Sequence, residues 1–136
     1  MKKVFVNGAF DVLHSGHLDM LEHAASLGTH LLVAIDTDRR IEYNKGVGRP
    51  FNCLSVRKQI MSFLKPVDGV AVFDTDQELV DIIKQYKPDI MVKGSDWRGK
   101  TVIGEEYCKE IYFYERTNGQ STTKTIQDFI DRRQLL

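Results

Sequence analysis

Five short runs of apolar and β-branched residues recur along the chain, each bounded by polar or glycine-containing segments. The runs are Val4–Val6, Leu31–Ile35, Val67–Phe73, Ile90–Val92 and Ile111–Tyr114. Short continuous runs of this kind are typical of strands that are covered on both faces. The pattern therefore predicts five buried strands, and Asn7-Gly8 ends the first of them.

Apolar residues at helical spacing separate most of these runs. The residues predicted to face the core are, helix by helix, Leu18, Leu21, Ala24, Ala25 and Leu27; Val56, Ile60 and Phe63; Leu79, Ile82, Ile83 and Tyr86; and Ile126 and Ile130. Gly28 is positioned to end the first helix, and Ser121 to cap the last. The segment that contains Lys45-Gly46 and Gly48-Arg49-Pro50 is predicted to be a polar loop.

Strands that alternate with helices pair in parallel through right-handed crossovers. The sequence contains no internal repeat, linker or low-complexity tract. It therefore predicts one α/β domain over residues 1–136, a Rossmann-like, doubly wound fold with a five-stranded parallel sheet. In such folds ligands bind beyond the carboxyl ends of the strands, where the strand order reverses. Residues that follow strands one, four and five are expected to carry the chemistry.

The charge of the chain narrows the class of partner. Lys and Arg together number 19, as do Asp and Glu, so the formal net charge is zero. This balance argues against a general nucleic-acid or membrane-surface binder. Cys53 and Cys108 lie far apart without metal-ligand spacing, and the apolar run at the N-terminus is too short for a signal peptide. A reduced, cytoplasmic protein is expected.

Two histidines flank a Ser-Gly pair after the first strand, where the first helix begins. The helix start offers unpaired N–H groups and the positive end of the dipole, and Gly16 lets a ligand approach the backbone. His14 and His17 can donate hydrogen bonds to phosphate oxygens and to charge that develops on them during a reaction. One such histidine would usually be a capping or solvent-facing residue, but the pair favours a phosphate site.

A second phosphate-binding arrangement is predicted after the fifth strand. Ser121 is placed as a helix N-cap, and Thr122 and Thr123 follow in the first turn, so hydroxyl and backbone N–H groups can bind an anion there. Arg116 adds a planar array of donors that suits phosphate oxygens. Both arrangements are predicted at the same sheet edge, where together they can hold one triphosphate.

These segments resemble signatures of the cytidylyltransferase-like nucleotidyltransferase family. The HSGH of His14–His17 is similar to the family's HxGH, and the GAFD of Gly8–Asp11 is similar to its G-x-F-D, with Ala9 where many members have Thr. The RTNGQSTT of Arg116–Thr123 is similar to its RTxGxSTT. The resemblance runs from Val4 to about Ile126, nearly the whole chain.

The resemblance implies a role for each of these residues. His14, His17, Arg116 and Lys45 would act on the reacting phosphates. The nucleotide-binding residues would be Gly8, Ala9, Phe10, Asp11, Gly16, Lys93, Asp96, Ser121, Thr122 and Thr123. Arg57 and Trp97 would contact the substrate, and no residue is assigned as a direct metal ligand.

The implied reaction is transfer of a nucleoside monophosphate from an NTP to a small phosphorylated acceptor. An acceptor phosphate is already anionic at neutral pH, so its oxygen can attack the α-phosphorus in line without a strong general base, and pyrophosphate leaves. Mg²⁺ is expected to arrive with the NTP, because it keeps most of its waters and binds through substrate phosphates. Related enzymes are commonly dimers, so a homodimer is expected.

Two substrate pairs stay open. RTxGxSTT and Asp96–Lys100 (DWRGK) resemble glycerol-3-phosphate cytidylyltransferases and favour CTP with a polyol phosphate. Lys45–Asn52 (KGVGRPFN) and Pro88–Asp96 (PDIMVKGSD) resemble the adenylyltransferase domain that makes ADP-heptose from a heptose 1-phosphate. In a related group of sugar-phosphate adenylyltransferases, a segment similar to the first of these closes over the nucleotide or the acceptor. Archaeal-type FAD synthetases come third, and pantetheine-phosphate adenylyltransferases match less well.

Two other classes of protein fit the sequence less well than an enzyme does. A non-catalytic nucleotide-binding regulator would keep Arg116 and Ser121 but could lose one of the histidines, and this chain keeps both His14 and His17. A flavodoxin-like signalling receiver needs an acidic pair after the first strand, and Asp11 has no acidic neighbour.

Overall fold

Strands and helices alternate along the chain, as the apolar pattern predicts. The computed structural model describes residues 1–116 and 121–134. Its strands are β1 (Lys3–Gly8), β2 (His30–Asp36), β3 (Gly69–Phe73), β4 (Ile90–Gly94) and β5 (Glu110–Tyr114). Its helices are α1 (Ser15–Ser26), α2 (Asp38–Lys45), α3 (Leu54–Phe63), α4 (Asp76–Tyr86) and α5 (Thr122–Arg133), with short 3-10 helices at Ser95–Trp97 and Glu105–Tyr107. No helix among the described residues combines the length and apolarity needed to cross a bilayer.

The five strands form one parallel sheet in the order β3-β2-β1-β4-β5. The chain builds outward from β1 to β3, and then crosses back to place β4 on the other side of β1. The strand order therefore reverses between β1 and β4, which is where a ligand site is expected in a doubly wound sheet. The predicted single α/β domain with a five-stranded parallel sheet is confirmed.

The core consists of two apolar layers, one on each face of the sheet. Val4 and Val6 on β1 pack in the same cluster as Leu21 of α1. Phe5, which lies between them in sequence, belongs to the cluster on the other face with Ile83 of α4. This division follows from the alternation of side chains along a strand, and it explains why the strand sequences are continuously apolar.

The segment after β2 differs from its prediction as a polar loop. It contains α2, whose N-cap Thr37 accepts a hydrogen bond at Oγ1 from the backbone N–H of Arg40 at 3.3 Å. Ile41 is the buried residue of this eight-residue helix. A helix that buries one side chain produces no repeating apolar pattern, so the loop prediction was wrong for Asp38–Lys45. Residues 46–53 form neither helix nor strand, as predicted.

The buried face of α3 also differs from the predicted one. Val56 and Phe63 are exposed, at 38% and 79%, whereas Arg57 and Met61 are buried. The predicted face would place three apolar side chains in the core. The helix is instead rotated so that Arg57 points into the interior, because carbonyl oxygens there accept its hydrogen bonds.

The guanidinium of Arg57 joins three segments behind the carboxyl edge of the sheet. It is fully buried and donates to the carbonyl oxygens of Ala9 at 3.0 Å, Asp36 at 2.8 Å and Asn52 at 2.9 Å. Its Nη2 also pairs with the carboxylate of Asp38 at 2.7 Å. The loop after β1, the turn after β2 and the start of α3 are thus held together by one side chain. A buried charge with this many acceptors fixes the relative positions of these segments, because removing it leaves several buried polar groups without a hydrogen-bond partner.

We predict that Arg57→Met lowers the free energy of unfolding by about 3–5 kcal/mol, since it leaves buried carbonyl oxygens and a carboxylate without their donor. Urea denaturation of the purified variant measures this change. Arg39→Met is the matched control, because Arg39 forms an ion pair with Asp74 but its side chain is 69% exposed, and exposed pairs contribute little. Equal stability of the two variants would contradict the role assigned to Arg57.

Candidate active site

A cavity of 630 Å³ opens at the carboxyl edge of the sheet, over the reversal between β1 and β4. It is surrounded by the ends of the strands and by the starts of α1 and α5. The predicted functional residues that line it are Gly8, Ala9, Phe10, Asp11, His14, Gly16, His17, Lys45, Lys93, Asp96, Trp97, Arg116, Ser121 and Thr123. The structure therefore brings the HSGH loop and the first turn of α5 to the same cavity.

His14 and His17 cap the start of α1 reciprocally. His14 accepts a hydrogen bond at Nδ1 from the backbone N–H of Gly16 at 3.0 Å, and its own backbone N–H donates to Nδ1 of His17 at 3.2 Å. Because both Nδ1 atoms act as acceptors, each neutral ring carries its proton on Nε2. The two rings lie with their centroids 3.9 Å apart. The capping geometry thus orients two Nε2–H donors as a pair beside the helix N-terminus.

Both imidazoles are held in the neutral form. Burial first, and then the neighbouring His14, Arg116 and Lys45, lower the pKa of His17 to about 4 against the opposing effect of Asp11. The pKa of His14 is also lowered, first by burial and then by the charge of Arg116. At neutral pH the pair therefore donates hydrogen bonds without carrying charge, while the permanent positive charge of the site comes from Arg and Lys side chains.

The loop between β1 and α1 is held in an unusual conformation. Phe10 and Val12 have φ angles of 49° and 51°, which side chains rarely adopt and which is least favourable for a β-branched residue. Asp11, 1% exposed, accepts backbone N–H groups of Phe51 at Oδ2 (2.6 Å) and of Asn52 at Oδ1 (2.9 Å). Strain of this kind persists only where the surroundings determine it, and it concentrates at functional sites. Asp11 thus orients the loop.

The phenyl ring of Phe10 supports His17 from the side of the core. Phe10 is 6% exposed, and its ring centroid lies 5.6 Å from that of His17. Gly8 lies against this ring, and a Cβ there would crowd it at 3.1 Å from Phe10 Cε2. The glycine of the GAFD segment therefore makes room for the aromatic residue that positions the histidine.

The start of α5 forms the opposite wall of the cavity. Ser121 is its N-cap and accepts a hydrogen bond at Oγ from the backbone N–H of Lys124 at 3.0 Å. Thr123 and Arg116 line the same wall. Thr122 is the first residue of the helix, and Thr117 and Gly119, on which the preference for CTP rested, lie outside the described residues.

The β2 side of the cavity carries charges of both signs. Lys45 lies at the end of α2, and its pKa is lowered by burial and then by the nearby charge of Arg49. Arg49 lines the cavity as well, and its Nε is buried without a hydrogen-bond partner among the described residues. Asp36, at the end of β2, supplies a carboxylate here. Cations that face one another without a full complement of acceptors are suited to hold an anion.

The β4 side contains an aromatic ring and a buried lysine. Lys93 is held by a hydrogen bond from Nζ to Oδ1 of Asn7 at 2.9 Å, and its Nζ lies 5.0 Å from the centre of the Trp97 ring. Burial lowers the pKa of Lys93, and the carboxylates of Asp36 and Asp96 oppose that shift. Trp97 is 39% exposed at the rim, so a planar ligand can stack on its ring.

Arg57 is the predicted site residue that the structure places elsewhere. Its guanidinium is buried behind the cavity and occupied by protein acceptors, so it positions the loops rather than lining the site. Polar residues that line the cavity and were not predicted include Asn7, Asp19, Asp36 and Asn44. Asp36 stands at the carboxyl end of β2, so the rule that located the other residues would have found it if applied to β2 as well.

Comparisons with known proteins agree with this architecture. A family model described as cytidylyltransferase-like matches residues 5–131. The chain is 43% identical over 123 residues to the bifunctional protein HldE of Campylobacter fetus subsp. fetus, covering 90% of this chain and 27% of that protein. It is also 43% identical over 126 residues to the HldE protein of Sulfurimonas denitrificans, covering 93% and 26%. The chain therefore spans about a quarter of the length of these relatives.

A solved structure has the same fold. The lipopolysaccharide core biosynthesis protein from Thermoplasma volcanium superimposes with a TM-score of 0.67 at 25% identity, covering 88% of this chain and 99% of that one. The family match agrees with the strand order and with the two helix starts that meet at one cavity. This chain belongs to the cytidylyltransferase-like family.

Proposed function

We propose that this chain is an adenylyltransferase that transfers AMP from ATP to a sugar 1-phosphate, with a heptose 1-phosphate as the leading acceptor. The observation that carries the proposal is the convergence of two helix N-termini, two imidazoles and Arg116 on one cavity. This set of donors matches the negative charge of a triphosphate and leaves space beside it for a second, smaller phosphate ester.

Two observations favour this acceptor and nucleotide over CTP with glycerol 3-phosphate. The chain is 43% identical to HldE proteins, and its solved neighbour is named for lipopolysaccharide core biosynthesis. The Lys45–Asn52 segment, which resembles the ADP-heptose-forming domain, places Lys45 and Arg49 at the cavity. CTP transfer to a polyol phosphate is the second candidate, since the RTNGQSTT and DWRGK segments resemble it.

In the proposed reaction an oxygen of the acceptor phosphate attacks the α-phosphorus of ATP. A new P–O bond forms as the bond to the β-phosphate oxygen breaks, and pyrophosphate leaves with the electron pair. The Nε2–H groups of His14 and His17 donate to the phosphate oxygens on which charge grows, and Arg116 supplies positive charge. Because burial keeps the imidazoles neutral, they can stabilise this charge without taking a proton from the acceptor.

The remaining parts of the proposal follow from the resemblance. The NTP enters as its Mg²⁺ complex, with the ion bound mainly to phosphate oxygens and water, so it is part of the substrate. We also propose that the chain acts as a homodimer in the cytoplasm, as related enzymes commonly do. Light scattering of the purified chain distinguishes a dimer from a monomer.

We predict that pyrophosphate is released when the chain is mixed with MgATP and a heptose 1-phosphate. With CTP and glycerol 3-phosphate we expect turnover slower by about tenfold or more. The reason is that a binding pocket discriminates against a substrate that leaves the pocket's polar groups without hydrogen-bond partners. A coupled pyrophosphate assay over ATP and CTP, each with heptose 1-phosphate, hexose 1-phosphates and glycerol 3-phosphate, measures both. Pyrophosphate release only with CTP and glycerol 3-phosphate would establish the second candidate function. If no combination of nucleotide and acceptor released pyrophosphate, the proposed transfer reaction would be overturned.

We predict that His17→Ala lowers kcat by about 10²–10³-fold, the usual effect of removing one donor that acts on developing charge. Thermal unfolding must show that the variant still folds, since His17 also caps α1. His23→Ala is the control, because His23 lies in the last turn of the same helix and packs against Tyr112 and Tyr114. Turnover by His17→Ala at the rate of the wild type would remove His17 from the mechanism.

We predict that the imidazole of His17 titrates near pH 4 in the free protein and at a higher pH with a non-hydrolysable ATP analogue, because phosphate charge favours the imidazolium. Its folded pKa is below the unfolded value of about 6.5. The unfolded chain therefore binds more protons between these values, and stability falls as the pH decreases from about 6.5 to about 4. Histidine NMR resonances followed against pH test this, and a pKa that the analogue leaves unchanged would exclude phosphate contact.

A further inference from the structure

On the β2 side of the cavity, the carboxylate of Asp36 lies among cations that are suited to phosphate. Asp36 ends β2 and lines the cavity, and its side chain is 15% exposed. Burial raises its pKa although Arg40 opposes that shift. A largely buried carboxylate repels phosphate oxygens, so its position is unfavourable for ligand binding unless the ligand group beside it offers hydrogen-bond donors.

Arg40 holds this carboxylate in place from behind. Its Nε donates to Oδ2 of Asp36 at 3.1 Å, its Nη2 pairs with Asp76 at 2.7 Å, and its guanidinium lies 5.0 Å from the centre of the Phe73 ring. The arginine side chain is 18% exposed and does not line the cavity, whereas Asp36 does. Asp36 is thus a positioned group at the cavity wall rather than a mobile surface side chain.

The other residues of the cavity indicate where the triphosphate, the base and the acceptor would bind relative to β1. The triphosphate belongs between the starts of α1 and α5, where the helix dipoles and His14 and His17 converge. The ring of Trp97 on the β4 side suits the base. The β2 side then remains for the acceptor, and Lys45 and Arg49 supply cations for its phosphate beside Asp36.

We propose that Asp36 is a specificity-determining residue that accepts a hydrogen bond from a hydroxyl group of the acceptor. The inference rests on the proposed transferase function and names the chemistry of its acceptor: a phosphate ester that carries hydroxyl groups. The phosphate pairs with Lys45 and Arg49, and a hydroxyl group satisfies the buried carboxylate. An acceptor that lacks this hydroxyl cannot form that hydrogen bond, and it leaves the carboxylate, still paired with Arg40, poorly solvated in the occupied cavity. A buried polar group discriminates against an analogue in this way.

The test measures steady-state kinetics of Asp36→Ala with MgATP and the best hydroxylated acceptor of the wild type. We expect the acceptor KM to rise by about 10- to 100-fold, as for loss of a hydrogen bond to a charged group, while the KM for ATP stays within about twofold. Asp36→Asn, which keeps the shape and one acceptor oxygen, should give a smaller rise. Asp76→Asn is the matched control, since it changes a different carboxylate partner of Arg40 that does not line the cavity, and it should leave the acceptor KM unchanged.

Monodeoxy analogues of that acceptor complete a cycle between residue and ligand. One analogue should raise KM in the wild type and cause no further loss in Asp36→Ala, because both changes delete the same hydrogen bond. A rise confined to the KM for ATP would place Asp36 at the ribose instead, and a change only in the Mg²⁺ dependence would make it a metal ligand. An unchanged acceptor KM would exclude a role in binding the acceptor. Each of these three results overturns this inference but leaves the transferase function standing. If the wild type releases no pyrophosphate with any acceptor, the transferase function fails and this inference fails with it.

Discussion

The buried guanidinium of Arg57 is the interaction on which the geometry of the site depends. It joins the loop after β1, the turn after β2 and the start of α3 through the carbonyl oxygens of Ala9, Asp36 and Asn52. Asp11 adds a second connection by accepting backbone N–H groups of Phe51 and Asn52. Because these contacts lie behind the cavity, they fix the loop that carries the histidines while leaving the cavity itself open to ligands.

The site separates fixed dipoles from fixed charges. His14 and His17 are neutral donors because burial lowers their pKa values, whereas Arg116, Lys45 and Lys93 supply positive charge around them. Helix N-termini from α1 and α5 add N–H groups and dipole ends that need no counter-ion. A polyphosphate bound here meets donors already oriented by capping hydrogen bonds, so little reorganisation is needed when charge moves during the reaction.

The sequence predicts those parts of the fold and site in which local pattern and tertiary role coincide. The continuous apolar runs predict the strands because parallel strands are buried on both faces, and the HSGH segment predicts a phosphate site because it joins a strand to a helix start. The pattern does not predict α2, which buries only Ile41, nor the inward rotation of Arg57, since an arginine normally indicates a surface. Asp36 belongs to no motif, and the role proposed for it rests on its position at the end of β2 and on the neighbours that the fold supplies.

The proposed reaction requires that α1 and α5 present their N-termini to one triphosphate. A crystal structure of the chain with Mg²⁺ and a non-hydrolysable ATP analogue shows where that triphosphate binds. We expect phosphate oxygens within about 3 Å of Nε2 of His14 and His17 and of the Ser121 turn. A triphosphate bound on the β2 side, or outside the cavity, with the start of α1 unoccupied would contradict it.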